Sequence, residues 1–209
     1  MATDTQLATP ELLGIEVHGV TRGAFIMRGA LAAGAVYGAS TVSPFVTSAF
    51  AQGGGGDVDI VNFALTLEYL ETDFYEKAQK LGLSSKTMKL AKQIGNHEAQ
   101  HVDALTATVK QLGGTPAKKP TFTFPMKDEK SFLKLAQVLE ETGVSAYNGA
   151  APAIMSKEVL AAAGSIVQIE ARHAAIIRSL NGAQPAPYAF DKTLAKSEVL
   201  AAVKPLIKA

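Results

Sequence analysis

The stretch "GNHEAQHVDAL", Gly95 to Leu105, holds His97, Glu98 and His101, and two readings of it lead to different molecules. As H-E-x-x-H on a helix it sets two imidazoles one turn apart to hold zinc, with the glutamate as general base. As a plain E-x-x-H, Glu98 with His101, it is half of a metal site that another helix must complete. A second copy makes the choice. A shift of 72 residues carries Glu98 onto Glu170 and His101 onto His173, in "IEARHAAII" from Ile169 to Ile177, and also carries Glu68 onto Glu140 and Tyr75 onto Tyr147. Ala64/Ala136, Leu67/Leu139, Ala91/Ala163 and Ile94/Ile166 agree at the same offset, and 30 residues separate the single glutamate from the E-x-x-H glutamate in each copy. His97 falls on Ile169. The residue that completes the zinc-protease pattern is the one the second copy lacks, and a zinc peptidase would have no recognisable third ligand.

Around these motifs the pattern after Asp57 is helical. Phe63, Leu67, Leu70, Phe74, Ala78 and Leu81 recur at spacings of three and four as the stripe of a first helix, which Gly82 stops. Ser84 caps a second, with the stripe Leu90, Ala91, Ile94, Leu105, Val109 and Leu112, ended by Gly113 and Gly114. A third is expected over 129–151, ended by Pro152, and a fourth over 156–180, ended by Asn181 and Gly182. The polar stretch from Gly113 to Asp128 is too long for a turn between antiparallel neighbours and reads as a crossover. The fold class is therefore all-α: a four-helix bundle over residues 57–182, two antiparallel hairpins joined by a long crossover. Residues 183–209 form a C-terminal extension in which 197–207 makes a short closing helix. "TFTF" at 121–124 is the single strand-like run.

At about 100° per residue, Glu98 and His101 lie within about 40° of Ile94 and Leu105, in the middle of the apolar stripe, and Glu170 and His173 relate in the same way to Ile166 and Ile177. A lone carboxylate there would cost several kcal/mol or take up a proton, so inward carboxylates and imidazoles need positive charge between them. Two divalent cations supply it. One glutamate from each of two helices with Glu-x-x-His from each of the other two is the known ligand pattern of ferritin-like di-metal carboxylate proteins. It assigns Glu68, Glu98, His101, Glu140, Glu170 and His173 as metal ligands. Glu71 faces inward too, but its repeat partner is Gly143, which favours Glu68 as the ligand and leaves Glu71 an alternative. Glu141 pairs with Tyr69 on the solvated side. Tyr75 and Tyr147, two turns beyond their glutamates, are candidate catalytic residues whose phenols either bond a ligand carboxylate or supply an electron; an aromatic core plug is the other reading.

"DIVNFALTLEYLETDFYEKA" (59–78 within it), "NHEAQHVDAL", "LEETGVSAYNGAA" and "IEARHAAII" resemble the exported ferritin-like domain family that includes desiccation-related proteins, over roughly residues 57–182. The resemblance implies a bundle with an iron or manganese pair. Hard oxygen donors with some imidazole suit those metals better than copper or structural zinc. The resemblance implies no known reaction; the ligand set itself points to redox chemistry with ferrous iron, oxygen or peroxide, small inorganic substrates all. The alternative is a non-catalytic stress-related bundle whose metal is structural or absent.

Composition bounds the rest. The 209 residues, 47% hydrophobic, suffice for one full core. Twenty basic against 19 acidic residues give a net charge of +1, without the basic footprint that nucleic-acid binding needs. With no cysteine, thiolate sites and disulfides are excluded. Residues 1–51 read as an export signal: "VTRGAFIMRGA", an apolar run from Ala30 to about Val46, and an Ala49-Phe50-Ala51 cleavage site. A membrane anchor or an N-terminal core helix is the other reading. Thr-Arg-Gly-Ala-Phe-Ile resembles the twin-arginine motif with Gly23 in place of the second arginine, which leaves the route open between folded-protein export and general secretion. Residues 52–56 are a glycine linker, and subunit assembly is left open. The mature protein, free of the membrane and either periplasmic or extracellular, is expected to begin at Gln52. N-terminal sequencing of the secreted chain checks this, and a membrane-bound chain retaining 1–51 would show an anchor instead.

Overall fold

Three helices of the bundle begin where a side chain satisfies one of the first free N–H groups. The computed structural model describes residues 56–208, so the export signal expected over 1–51 lies outside the described residues. Helix α1 spans Asp57–Ala78, α2 Ser85–Gln111, α3 Glu129–Ala150, α4 Lys157–Leu180 and α5 Lys196–Val203. The Ser84 hydroxyl accepts from the Thr87 N–H at 3.3 Å to start α2. Asp128 and Ser131 form a reciprocal capping box at the start of α3. Ser156 accepts from Val159 N–H to start α4. The ends are as local: Gly113 (φ 78°) and Gly182 (φ 74°) take the left-handed conformation just past α2 and α4. Pro152 ends α3 as expected and sits inside a 3-10 turn, Ala151–Ala153, and Pro205 likewise sits in a turn, Lys204–Leu206, after α5.

α1 pairs with α2 and α3 with α4 as two hairpins, and α1 also packs on α3 and α2 on α4. The crossover runs the length of the bundle, because its two ends are tied to opposite places. At its beginning, Asn62 near the start of α1 holds the Thr115 carbonyl (3.0 Å) and the Ala117 N–H (2.7 Å). At its end, Glu129 accepts from the Ser84 N–H (2.5 Å) and the Thr87 hydroxyl (2.8 Å), so α3 starts beside the start of α2. Asp57, buried at the first turn of α1, accepts from the N–H groups of Met155 (2.8 Å) and Ser156 (2.7 Å) and fixes the turn into α4.

The core forms two apolar clusters. One gathers Leu70, Phe74, Tyr75, Ile94, Phe132 and Ile177, with Phe74 stacked on Phe132 at 5.3 Å; the other gathers Val61, Leu65, Leu105, Val109, Tyr147, Val159 and Ile166. Val61 and Leu65 lie outside the expected stripe of α1 yet are buried, because α1 touches both α2 and α3 and so needs a broad apolar face. Leu112, expected in the α2 stripe, is 36% exposed.

The C-terminal extension closes the first cluster. Val199, Val203 and Leu206 are buried with Phe122 of the crossover, and the "TFTF" run forms a single antiparallel bridge, Phe122 with Ile207. Upstream, Leu194 donates its N–H to the Ser145 carbonyl (3.0 Å) and passes so near α3 that a Cβ on Gly149 would stand 2.0 Å from the Leu194 carbonyl oxygen. Only glycine permits that approach. Gly149→Ala is expected to lift the extension off α3 at a cost of about 1–3 kcal/mol, as overpacking usually does. Limited proteolysis should then cut between 183 and 195 faster than in the wild type, while denaturant unfolding reports the loss.

Candidate metal centre

The four bundle helices turn eleven polar or charged side chains inward, and most of them meet where the two apolar clusters join. Glu68, Glu98, Glu140 and Glu170 are fully buried, and His101 and His173 are buried beside them. The carboxylates and imidazoles form two groups, Glu68/Glu98/His101/Glu170 and Glu98/Glu140/Glu170/His173, in each of which the ligand atoms lie within 4.8 Å of one another. Glu98 and Glu170 belong to both. The Nδ1 atom of His101 is 2.9 Å from Glu98 Oε2, 3.0 Å from Glu170 Oε1 and 3.3 Å from Glu68 Oε2. That of His173 is 3.0 Å from Glu98 Oε1, 3.4 Å from Glu140 Oε2 and 3.9 Å from Glu170 Oε2. Each E-x-x-H glutamate therefore turns one oxygen to each imidazole, as a bridging carboxylate does, while Glu68 and Glu140 stand at the two outer ends.

The tyrosines cross between helices. Tyr75 of α1 donates to Glu140 Oε1 on α3, and Tyr147 of α3 donates to Glu68 Oε1 on α1 at 2.5 Å. On both helix pairs the later residue of one faces the earlier residue of the other, so the pairs run antiparallel about a local two-fold axis through the site. Each phenol is held far above its usual range, by burial first and then by the neighbouring carboxylate charge. A neutral phenol donating to a carboxylate fixes which of its lone pairs remain for a cation.

Several ligating atoms here stand 3.0–3.9 Å from a charged partner without making an aligned hydrogen bond: Glu98 Oε1, Glu140 Oε2, both Glu170 oxygens and His173 Nδ1. Buried lone pairs left unmet are costly unless a cation takes them. Oxygen donors with one imidazole per group fit iron or manganese. Without a cation the cluster is balanced by protons. Burial disfavours the imidazolium of His101, but the carboxylates of Glu170, Glu68 and Glu98 beside it outweigh this and hold the group up at about 12; His173, facing Glu140, Glu170 and Glu98, is likewise held at about 12. Burial would raise Glu170, yet the two imidazoles bring it down to about 2. Burial, joined by the Glu170 charge, lifts Glu98 to about 8, and burial lifts Glu140 to about 7.

All six expected ligands and both tyrosines come together, and Glu141, expected on the solvated side, accepts from Arg178 Nε at 2.8 Å at the bundle surface. Two residues at the site go beyond the sequence reading. His97 Nδ1 lies 2.9 Å from His173 Nε2, with the rings stacked at 5.2 Å, so the outer nitrogen of a ligand imidazole has a protein partner. That contact is made across the bundle, and no spacing within one helix reports it. It also sets His97 apart from the zinc-protease pattern, since His97 turns to His173 while the two Glu98 oxygens face His101 and His173. Glu71 is 3% exposed, and its carboxyl is raised well above its ordinary range by burial and by the charges of Glu170, Glu140, Glu68 and Glu98. The signal in the sequence was the Glu71/Gly143 mismatch.

Comparison with known proteins agrees with the four-helix fold. Protein rds1 of Schizosaccharomyces pombe is 23% identical over 160 residues, which cover 72% of this chain and 39% of that protein; the chain thus spans about two fifths of the length of this curated relative. The crystal structure of a conserved hypothetical protein, rv2844, from Mycobacterium tuberculosis shares the fold with a TM-score of 0.56 at 16% identity, covering 61% of this chain and 99% of that one. Residues 56–183, more than half of the chain and all four helices of the bundle, match the ferritin-like domain, and the protein belongs to that family.

Proposed function

We propose that the protein binds a pair of iron or manganese ions and carries out redox chemistry with ferrous iron, oxygen or peroxide. The observation that carries this is the sharing of Glu98 and Glu170 between two buried ligand groups that retain unmet lone pairs. Glu68 and His101 would hold one ion and Glu140 and His173 the other, with Glu98 and Glu170 between them. Such a pair supplies one-electron steps at each of two adjacent ions. The chain's own residues would do the rest: Glu98 and Glu170, each with one oxygen toward either imidazole, would accommodate changes in metal charge, and the tyrosines hold the Glu140 and Glu68 carboxylates in place. Because each phenol already donates to a carboxylate, a ring that gives up an electron has an acceptor for its proton. An apolar cavity of about 30 Å³ bordered by Ala64, Leu67, Leu105, Tyr147, Val159 and Ala163 reaches the Tyr147 side of the site, with room for a small apolar molecule such as dioxygen. With the export signal read from residues 1–51, we place this chemistry outside the cytoplasm.

The second reading is a structural bundle without catalytic metal, in keeping with a stress-related role. It is favoured by the ion pairs between the imidazoles and Glu98 and Glu170, which partly neutralise the core without any cation.

Three variants separate the readings. His101→Ala and His173→Ala should each lose a large part of the bound metal, since each removes an imidazole ligand. His97→Ala should keep metal at saturating supply and weaken the His173 position by roughly tenfold, the usual loss when a ligand's outer partner goes. Metal per chain, measured after the same iron- and manganese-supplemented growth, is the readout. A zinc peptidase would lose its metal with His97 and keep it without His173; a structural bundle would carry none in any variant.

Metal binding should also release protons. In the free protein His101 and His173 hold theirs to about pH 12 and Glu98 to about pH 8, whereas ligands must bind as neutral imidazole and carboxylate. Affinity is therefore expected to rise from pH 6 to pH 8, and the heat of binding to depend on the buffer's ionisation enthalpy. Heat and affinity independent of pH would place the ions elsewhere.

A further inference from the structure

The two copies of the hairpin differ at the site in one pair of positions on α1 and α3. Glu71 lies one turn beyond Glu68, and its counterpart one turn beyond Glu140 is Gly143. These two positions face each other. A Cβ added to Gly143 would lie 3.3 Å from Glu71 Oε1 and 3.8 Å from Glu71 Oε2, and 3.6 Å from Glu170 Oε2. The Glu71 carboxylate thus packs directly against the bare backbone of Gly143, where a methyl group would crowd it. That contact lies beside Glu170 Oε2, the oxygen that faces His173. Glu170 and Glu140 are the charges Glu71 feels most.

We propose that Glu71 is a seventh protein ligand of the dinuclear centre, serving the ion held by Glu140, His173 and the Oε2 side of Glu170. The proposal rests on the dinuclear reading above. It makes the two metal positions unequal. His97 falls on the same side, behind His173, so both departures from the repeat, Glu71 against Gly143 and His97 against Ile169, are gathered at one ion. The extra carboxylate brings the inward acidic groups to five. Two divalent ions then leave one negative charge over, and an added positive charge on the pair restores neutrality, so Glu71 favours the more oxidised state of the ion beside it.

The test is a titration of the metal-free full chain with Mn²⁺ and, separately, with Fe²⁺ under argon, for the wild type, Glu71→Gln and Gly143→Ala. Gln keeps the volume of Glu71 and removes its charge. Ala at 143 leaves Glu71 in the sequence but crowds its carboxylate by a few tenths of an ångström, so the two variants reach the same contact from opposite sides. The wild type should bind two ions. Glu71→Gln should keep one binding step unchanged and weaken the other by tenfold or more, Gly143→Ala should weaken that same step by less, and the rise in Tm on metal addition should shrink in both. A Glu71 that only fills space would leave both steps and the metal-induced rise as in the wild type, and that result overturns the proposal while leaving the dinuclear centre intact. A wild type that takes up neither ion overturns the dinuclear reading and this proposal with it, before any variant is compared.

Discussion

Carboxylates in an apolar core set the terms for everything else in this bundle. Glu68, Glu71, Glu98, Glu140 and Glu170 are all buried, and like charges at such distances repel while the core withholds water from each of them. Two imidazoles cannot balance five acids. Protons fill the deficit in the free protein, as the upward shifts of Glu98 and Glu140 and the imidazolium state of both histidines express. On the dinuclear reading a pair of cations would fill it, and would also engage the carboxylate oxygens that lack an aligned hydrogen bond. The same charge that makes the metal-free core costly would then be the source of metal affinity.

The hairpin repeat explains how one chain builds such a site from local rules. Each copy needs an amphipathic pair of helices with one glutamate on the first and E-x-x-H on the second. Packing the copies antiparallel about a local two-fold axis turns two half sites into one, and the crossing bonds from Tyr75 to Glu140 and from Tyr147 to Glu68 tie each copy's outer carboxylate to the other copy. Neither hairpin alone holds a complete ligand group, since each group draws on both Glu98 and Glu170.

The fold and the inward cluster of acids and imidazoles were legible in the sequence for the same reason. Helical spacing and the cap at Ser84 are local, and the repeat at an offset of 72 carried the inward glutamates and histidines with it. What the sequence concealed depended on contacts between helices. His97 was set aside because its counterpart is Ile169, yet it reaches His173 from the neighbouring helix. Glu71 was ranked below Glu68 because its counterpart is Gly143; in an antiparallel pair those positions face each other, so the mismatch is complementary and the glycine makes room for the acid. The C-terminal extension showed no motif, and its role is bulk: Val199, Val203 and Leu206 cover Phe122, a partner far away in sequence.

The central claim is that two ions sit side by side on Glu98 and Glu170, and X-ray absorption at the metal edge of protein purified from its own host tests it most directly. The account predicts iron or manganese with an oxygen- and nitrogen-rich first shell and a second metal at about 3.5–4 Å, the separation of carboxylate-bridged pairs. A single isolated ion per chain, or a sulfur-containing shell, or no bound metal at all, would contradict it.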